Sequence, residues 1–246
     1  MRIKHVLAVF ALLGVFTSAV FAQNSQGTVD PSDADAQNAL GDKYYYGDGV
    51  PKNYAEAVRL YRLSADQGNA TGQRRLGSMY YNGHGVKLDD AEALKWFRLS
   101  ANQGDAATQT SLGMMYLQGH VAKQDYAEAL KWFRLSADQG DAVAQHNLGC
   151  MYLEGRGVKQ DYAEALRLYR LSADQGFSEA QNNLGVMYAK GLGVKQDYAE
   201  AVKWFRLSAD QGGYTEAHYN LQRKPEDTKT ISSIRMVRSP IDAEMH

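Results

Sequence analysis

One cysteine and two possible partners lie at helical spacing in the middle of the chain. His146, Cys150 and Glu154 are each four residues apart, so on a helix their side chains would lie along one face. A thiol beside an imidazole can be a nucleophile with its base, and His, Cys and Glu also bind transition metals. The competing interpretation is that Cys150 is a small apolar filler, because the chain offers no second cysteine and no clear third ligand. We favour the filler and predict no metal and no cofactor.

Two histidines, His84 and His120, stand 36 residues apart. This spacing equals one period of the sequence repeat described below, so the two histidines occupy the same loop position in adjacent repeats. As neighbours they could form a paired metal site, but two solvent-facing loop residues are the simpler interpretation. The Ser-x-x-Lys and Lys-Thr-Gly motifs of β-lactam enzymes are absent, as are Gly-x-Ser-x-Gly, His-Glu-x-x-His and the Walker loop. The sequence therefore predicts no catalytic residue.

A block of six residues, LSADQG, recurs with a fixed period. It occupies 63–68, 135–140, 171–176 and 207–212, and the near-copy LSANQG occupies 99–104. The closing glycines are all 36 residues apart, and a period of this length is typical of stacked repeat proteins. A shorter sixth segment, 213–221, is interpreted as a capping helix. The five full repeats are 33–68, 69–104, 105–140, 141–176 and 177–212.

Each repeat contains two helical patterns. In the fourth, Gln145, Leu148, Gly149 and Tyr152 recur at i, i+3, i+4 and i+7, which is one face of a helix. The same residue types stand at these positions in all five repeats, so we interpret them as the packing face of a first helix. The second pattern begins at Asp161, the predicted start of a capping box with the Glu three residues later, and it ends at the glycine of the block.

The ends of the array differ from its middle. Methionine stands at one position in four repeats, whereas the first repeat has Lys43 there. A polar residue suits that position if the methionines contact a preceding repeat, which the first repeat lacks.

In the third loop, Val121 replaces the second glycine of the Gly-x-Gly-Val pattern, so we expect this loop to rearrange or to carry strain. The tryptophans Trp96, Trp132 and Trp204 are predicted core residues.

A helical hairpin cannot bury its apolar faces alone, whereas stacked hairpins can. We therefore predict an all-α fold, an α-α superhelix that forms a right-handed solenoid of helix-turn-helix repeats. The string AQHNLGCMYLEGRGVKQDYAEALRLYRLSADQG, residues 144–176, resembles the SEL-one-like repeat, a relative of the tetratricopeptide repeat. The resemblance covers about 33–221. It implies a scaffold or adaptor role, often in exported bacterial proteins, with the first helices on the concave wall.

Some exported, cysteine-rich members of the resembled family are assigned penicillin binding or β-lactamase activity. Those members carry a disulfide-forming cysteine pair in each repeat, whereas this chain has only Cys150. On the family resemblance alone, a β-lactam hydrolase or penicillin-binding protein is kept as the alternative function. A structural element tethered to the cell wall through the tail is a third possibility.

Four positions of each first helix vary between repeats while sharing one helical face. They can form a groove for a peptide or for a partner's helix, or they can reflect drift on a solvated face. We predict the groove, with Tyr45, Tyr46, Tyr81, Leu117 and Leu153 as anchors. The predicted partner-binding residues are Asn38, Asp42, Tyr45, Tyr46, Arg74, Ser78, Tyr81, Asn82, Met114, Leu117, Gln118, His146, Cys150, Leu153, Glu154 and Lys190.

The first 22 residues have the composition of a secretory signal peptide: a basic start, an apolar run, and Val20-Phe21-Ala22 as a cleavage site. Residues 23–32 are interpreted as a flexible leader and 222–246 as a C-terminal tail, for which disorder is one open interpretation. Cleavage removes two of 27 Lys and Arg and none of 28 Asp and Glu, so the mature net charge is −3. This charge disfavours nucleic acid as a partner.

Together these patterns predict an exported protein, periplasmic or secreted. It has no stable membrane span once the signal is removed, and it is a monomer. Its predicted function is a scaffold that binds a protein or peptide through the concave face of the solenoid and performs no chemistry.

Overall fold

The computed structural model describes residues 32–119, 121–211, 215–222, 234 and 236. The predicted signal peptide, nearly all of the leader, His120 and most of the tail lie outside these residues, so their assignments remain predictions. All regular structure within the described part of the chain is helical. Its eleven helices are α1 (Ala34–Tyr46), α2 (Tyr54–Asp66), α3 (Ala70–Asn82), α4 (Asp90–Asn102), α5 (Ala106–Gln118), α6 (Tyr126–Asp138), α7 (Ala142–Glu154), α8 (Tyr162–Asp174), α9 (Ser178–Lys190), α10 (Tyr198–Asp210) and α11 (Thr215–Leu221).

The first ten helices form five antiparallel hairpins, one per repeat. Each of these helices has 13 residues, and each contacts the described helices that are its neighbours along the chain. The first helices of adjacent repeats also contact each other, α1 with α3 and α5 with α7, as on the inner side of a curved stack. The predicted all-α solenoid of helix-turn-helix repeats is therefore confirmed. None of the helices described is both long and apolar enough to span a membrane.

The second helices start at polar N-cap residues, but only half of the predicted capping box is present. Asp161 Oδ1 accepts a hydrogen bond from the Glu164 backbone N–H over 3.0 Å, as predicted. The N–H of Asp161, however, donates to the Tyr152 carbonyl oxygen over 2.9 Å, and the Glu164 carboxylate pairs with Arg167 over 2.6 Å. The backbone carbonyl of Tyr152 thus accepts the hydrogen bond that a complete capping box would direct to the Glu164 side chain.

The block that ends each repeat is confirmed as a helix terminus. Gly176 has φ of 89°, a backbone conformation that glycine adopts without a steric penalty, and its N–H donates to the Ala173 carbonyl over 2.9 Å. Val121 of the third loop is half-buried against the central core cluster. Its neighbour His120 lies outside the described residues, so the rearrangement of that loop remains a prediction.

The glutamine and glycine of the constant face are buried in all five first helices, as predicted, whereas the tyrosine is half-buried at positions 44, 80 and 152. The glycine at the centre of this face lets the second helix approach closely, because a Cβ added to Gly149 would lie 2.8 Å from Cε1 of the Tyr169 ring. Leucines of this face are buried in repeats two to five, but Leu40 of the first repeat is 40% exposed. The exception follows from position, because the helix that would cover Leu40 belongs to a preceding repeat.

The methionine position behaves as predicted at the array's end. Met79, Met115, Met151 and Met187 are all buried, whereas Lys43 is exposed. The tryptophans follow the core prediction less closely. Trp132 is buried, whereas Trp96 and Trp204 are half-buried. In all three, the indole N–H donates to a glutamate of its own helix, as in the 3.1 Å bond from Trp96 to Glu92.

An arginine and a tyrosine connect each second helix to the next repeat. The Arg134 guanidinium donates to the Tyr152 hydroxyl over 2.8 Å and lies 5.9 Å from the centre of that ring. The pairs Arg98 with Tyr116 and Arg170 with Tyr188 repeat this contact. Each repeat interface therefore has a cation–π contact as well as apolar packing.

The C-terminal end of the array is covered by a short helix and by part of the tail. Helix α11 contacts α10 and buries Ala217 and Asn220, consistent with the predicted capping helix. Ile234 is buried in the core cluster of the fourth and fifth repeats, and Met236 packs against the same cluster. At these two residues the tail therefore lies on the folded array.

Candidate partner-binding surface

The first variable position contacts the start of the next repeat. Asn38 Nδ2 donates to Asn69 Oδ1 over 2.8 Å, the N-cap residue of α3. At the same position Arg74 pairs with Asp105, with 3.5 Å between Nε and Oδ2. Thr110 and His146 meet the corresponding residues of their next repeats, Asp141 and Phe177. The variation at this position is therefore matched inside the fold, and it carries no evidence of a ligand.

The second variable position lies against the aromatic ring of its own second helix. The Tyr61 hydroxyl donates to Asp42 Oδ1 over 2.6 Å, and the Tyr169 hydroxyl donates to Cys150 Sγ over 3.2 Å. In the second, third and fifth repeats the ring belongs to a phenylalanine, which has no hydroxyl, and the facing residues are Ser78, Met114 and Val186. Asp42 also pairs with Arg75 of the second repeat over 3.0 Å. Asp42 and Cys150 thus have partners within the protein.

Burial and the carboxylate of Asp42 raise the pKa of the Tyr61 hydroxyl well above its ordinary value. Burial likewise raises the pKa of the Tyr169 hydroxyl. Both groups therefore remain protonated and serve as hydrogen-bond donors at neutral pH.

His146, Cys150 and Glu154 do not form a reactive site. His146 and Cys150 are both buried, with 3.7 Å between Nε2 and Sγ, and burial lowers the pKa of His146 to about 4. Glu154 points to the surface and pairs with Arg156 over 2.5 Å. The interpretation of Cys150 as an apolar filler fits this geometry. Within the described residues no group of three His, Cys, Asp or Glu could hold a metal ion.

Several predicted contact residues are unavailable to a partner. Asn38, Leu117, His146 and Cys150 are buried, Leu117 with only 1% of its surface exposed, so the prediction that they face outward is wrong. Met114 and Leu153 are half-buried and pack against the core clusters. The Ser78 hydroxyl donates to the carbonyl of Arg74, one turn earlier in α3. Sequence variation at these positions reflects internal packing partners that also vary.

The open part of the predicted surface lies at the C-terminal ends of the first helices. Tyr46 is 63% exposed and Tyr81 is 41% exposed, and Tyr45 is half-buried against Tyr46. At the same helix ends Asn82 and Glu154 are exposed, and Gln118 and Lys190 are half-buried. Elsewhere on the first helices Asp42, Arg74 and Ser78 are half-buried as well. This surface is therefore aromatic in the first two repeats and polar in the last three.

Four aromatic side chains pack together at the first two repeats: Tyr45, Tyr46, Tyr54 and His84. We group them with the exposed Tyr81, which lies near the end of α3 three residues before His84, and call the five residues the aromatic patch. The rings of Tyr54 and His84 stack with 4.6 Å between centroids and 4° between planes. Tyr45 meets Tyr46 edge-on at 4.9 Å and lies 5.2 Å from Tyr54. Ring packing of this kind holds the side chains in place before any partner arrives.

Tyr54 and His84 were not among the predicted contact residues. Tyr54 is the first residue of α2 and His84 is a loop residue, so neither shares the helical face on which the prediction depended. The signal that could have found them is the run of three tyrosines at 44–46, followed eight residues later by a fourth. Histidine at position 84 was considered as a metal ligand, whereas the structure places its ring on tyrosine.

Stacked helical hairpins with a shared inner wall define an α-solenoid. The chain matches the Sel1 repeat at residues 34–69, 70–105, 106–141, 142–177 and 178–213, one residue later than the boundaries predicted for each repeat. The protein therefore belongs to the Sel1 repeat family. Proteins of this family are generally scaffolds for protein interactions and are typically not enzymes.

Two solved structures show the same fold. The first is c5321, a protective antigen of uropathogenic Escherichia coli strains with the SLR fold, which is 41% identical and superposes with a TM-score of 0.73 over 76% of this chain and 40% of that chain. The second is a Sel1 repeat protein of Oxalobacter formigenes, 33% identical, with a TM-score of 0.74 over 89% of this chain and 85% of that chain. The protein thus spans less than half the length of c5321. No curated protein matches this chain.

Proposed function

We propose that the protein is an exported, monomeric scaffold that binds a protein or peptide partner through the aromatic patch. The observation that carries this proposal is the packed group of Tyr45, Tyr54 and His84, with the exposed Tyr46 against Tyr45 and the exposed Tyr81 three residues before His84. Tyrosine combines a large apolar ring with a polar hydroxyl and is enriched among residues that dominate binding energy. Its two side-chain torsions also limit the entropy lost on binding.

The polar groups around the patch favour a protein partner. Lys52 lies over the Tyr54 ring at 5.1 Å, and the Tyr45 hydroxyl lies 3.4 Å from His84 Nδ1. Such a rim can form hydrogen bonds with a polypeptide backbone while the exposed rings bury apolar side chains. The mature net charge of −3 supports the same conclusion, because it offers no excess of basic residues for nucleic acid.

Export is proposed from residues 1–22 alone, on their basic start and apolar run. Fractionation of cells that express the full chain with a C-terminal tag tests it. We expect a processed, shorter protein in the periplasm or medium. Full-length protein confined to the cytoplasm would disprove export without affecting the binding proposal. Light scattering of the purified mature chain tests the oligomeric state, and we expect the mass of a monomer.

Site-specific photocrosslinking tests the binding proposal. The photoreactive residue p-benzoylphenylalanine is placed at Tyr46 in one variant and at Leu171 in another, because Leu171 is equally apolar and 41% exposed but lies on a second helix. Both variants are irradiated in an envelope extract of the source cells. We expect a discrete protein adduct from position 46 and none from position 171.

A matched pair of substitutions provides the control. Tyr81→Ala should reduce the yield of the adduct at position 46 by about tenfold or more, since an aromatic anchor contributes at least ~1.4 kcal/mol. Leu99→Ala, an exposed apolar residue on α4, should leave the yield unchanged. Equal yields from positions 46 and 171, or equal effects of the two alanine variants, would show that the patch is not the binding site.

A further inference from the structure

The fifth repeat ends in a different way from the repeats before it. Each earlier repeat is followed by a complete hairpin whose first helix has 13 residues, whereas the fifth is followed by α11, which has seven. Even so, Val186 and Ala189 near the end of α9 have no exposed surface. In the third repeat, which a complete hairpin follows, the matching residue Leu117 is likewise buried. The end of α9 is therefore covered as fully as in a repeat with a whole hairpin behind it.

Part of that cover comes from the tail. Ile234 is 5% exposed within the cluster that contains Val186, Ala189 and Phe205. Met236 packs against the same cluster, and neither residue is helical. Side chains at i and i+2 lie on one side of an extended chain, whereas on a helix they lie about 200° apart. The burial of both side chains against one cluster therefore fits a ligand whose apolar side chains are two residues apart.

We propose that the apolar surface of the fifth repeat is a docking site for extended segments with apolar side chains two residues apart, and that this protein's own Ile234 and Met236 occupy it in cis. An external segment of the same pattern binds there by displacing them. The site is separate from the aromatic patch, and the inference does not depend on the function proposed for the patch.

The occupant is held by apolar contacts of modest size. Burial of one isoleucine and one methionine contributes about 1.5–3 kcal/mol each at most, and attachment to the same chain raises the local concentration of the segment to roughly the millimolar range. The intact chain therefore keeps Ile234 and Met236 bound, yet their contact is weak enough for an external segment to replace them. A free peptide must overcome this local concentration before it binds.

Peptide binding to full-length variants tests the proposal. The probe is a fluorescein-labelled peptide with the sequence of residues 229–240, and the variant carries Ile234→Asp and Met236→Asp. We expect the variant to bind the probe at least about tenfold more tightly than the wild-type chain, because its own segment no longer competes. Hydrogen exchange of residues 178–190 should be faster in the variant and should return to the wild-type rate when the probe is added.

Two controls separate docking from other effects. A probe with Asp at both apolar positions should not bind the variant. A chain with Leu135→Asp and Leu171→Asp, both exposed leucines on second helices, should bind the probe as weakly as the wild type. If circular dichroism shows a folded variant that binds the probe no better than the wild type, the site does not accept segments in trans and the proposal is wrong.

A milder variant covers the case in which the charged one does not fold. Ile234→Ala with Met236→Ala removes most of the apolar contact without burying a charge, and we expect intermediate affinity for the probe. If the alanine variant also unfolds, the two residues are a fixed part of the core, and exchange with an external segment is excluded.

Discussion

The side-chain amide of Gln139 donates a hydrogen bond to Gln109 Oε1 over 2.8 Å. Gln109 in turn donates from Nε2 to the Ala101 carbonyl oxygen over 2.9 Å. One buried glutamine on α5 therefore connects the C-terminal ends of α4 and α6, and so joins two repeats. The same pairs recur in the fourth and fifth repeats with Gln145 and Gln181 as the central residues.

Replacement of Gln109 by alanine should destabilise the array. The Ala101 carbonyl keeps the Gly104 N–H and the Gln139 amide keeps the Leu135 carbonyl, so the change removes two hydrogen bonds without leaving a buried group unsatisfied. Each bond contributes about 0.5–1.5 kcal/mol, or about 1–3 kcal/mol for the two. We expect the free energy of unfolding measured in urea to fall by about that amount. Asn102→Ala, an exposed amide at the end of α4, should change it by less than ~0.5 kcal/mol.

A double-mutant cycle with Gln139→Ala identifies the source of the loss. If the two glutamines act through their shared hydrogen bond, the double variant should lose less stability than the two single variants together. Additive losses would show that the contact itself contributes nothing.

Replacement of Gly113 by alanine should destabilise the third repeat, although alanine is the better helix former. The added Cβ would lie 2.6 Å from Cδ1 and Cε1 of Phe133, a ring with no exposed surface. Overpacking costs about 1–3 kcal/mol, more than the ~1 kcal/mol gained in helix propensity. We expect a lower melting temperature. In a Phe133→Leu background the same change should be neutral or stabilising, since the ring edge is gone.

Lysine should be tolerated at one end of the array and nowhere else along the methionine position. Met151→Lys buries an ammonium group among apolar side chains, which costs several kcal/mol, so we expect loss of cooperative unfolding or poor expression. Lys43→Met is the matched control at the equivalent exposed position and should alter stability by less than ~0.5 kcal/mol. Equal effects would contradict the assignment of this position to the repeat interface.

Acid should weaken the protein through His146. Burial lowers its pKa to about 4, below the ~6.5 of an unfolded histidine, so the unfolded chain binds more protons between these values. The stabilisation is therefore present above pH 6.5 and is lost as pH falls towards 4. Between pH 7 and pH 4.5 we expect an extra loss of about 2 kcal/mol that is absent from His146→Gln.

Histidine 218 provides the comparison for that measurement. Its side chain is exposed on α11, so His218→Gln should show the same dependence on pH as the wild type. Urea unfolding of the three proteins at pH 7, 6, 5 and 4.5 gives the required differences. A parallel dependence in wild type and His146→Gln would show that the buried imidazole is not the acid-sensitive group.

The repeat architecture was predictable from sequence because its determinants are local and recur. The N-cap aspartates, the glycine stops and the constant packing face each depend on residues within one 36-residue unit. Even the exposed Lys43 followed from comparing one position across the repeats. The C-terminal ends of helices α1 to α9 agree closely with the predicted pattern, since a glycine at positive φ follows each of them.

The surface was predicted less well because variation was taken to mean exposure. Cys150 contacts the Tyr169 hydroxyl, and His146 contacts Phe177 of the next repeat. The residue types at both partner positions also differ between repeats, so variable residues contact other variable residues inside the fold. Such matching needs knowledge of which helices touch. Leu117 is also buried, in the central core cluster, whereas Tyr46 and Tyr81 are exposed and remain predicted anchors.

Because each interface repeats the same glutamine and arginine contacts, these contacts can form again when a whole unit is gained or lost. The pair at the first variable position must also be compatible, as Arg74 and Asp141 would be after loss of the third repeat. Removal of 105–140 would join Gly104 to Asp141 and bring α4 against α7 in the geometry that α6 now provides. Gene duplication or unequal recombination in steps of 36 codons would therefore change the distance between the aromatic patch and the C-terminal docking surface while leaving both intact.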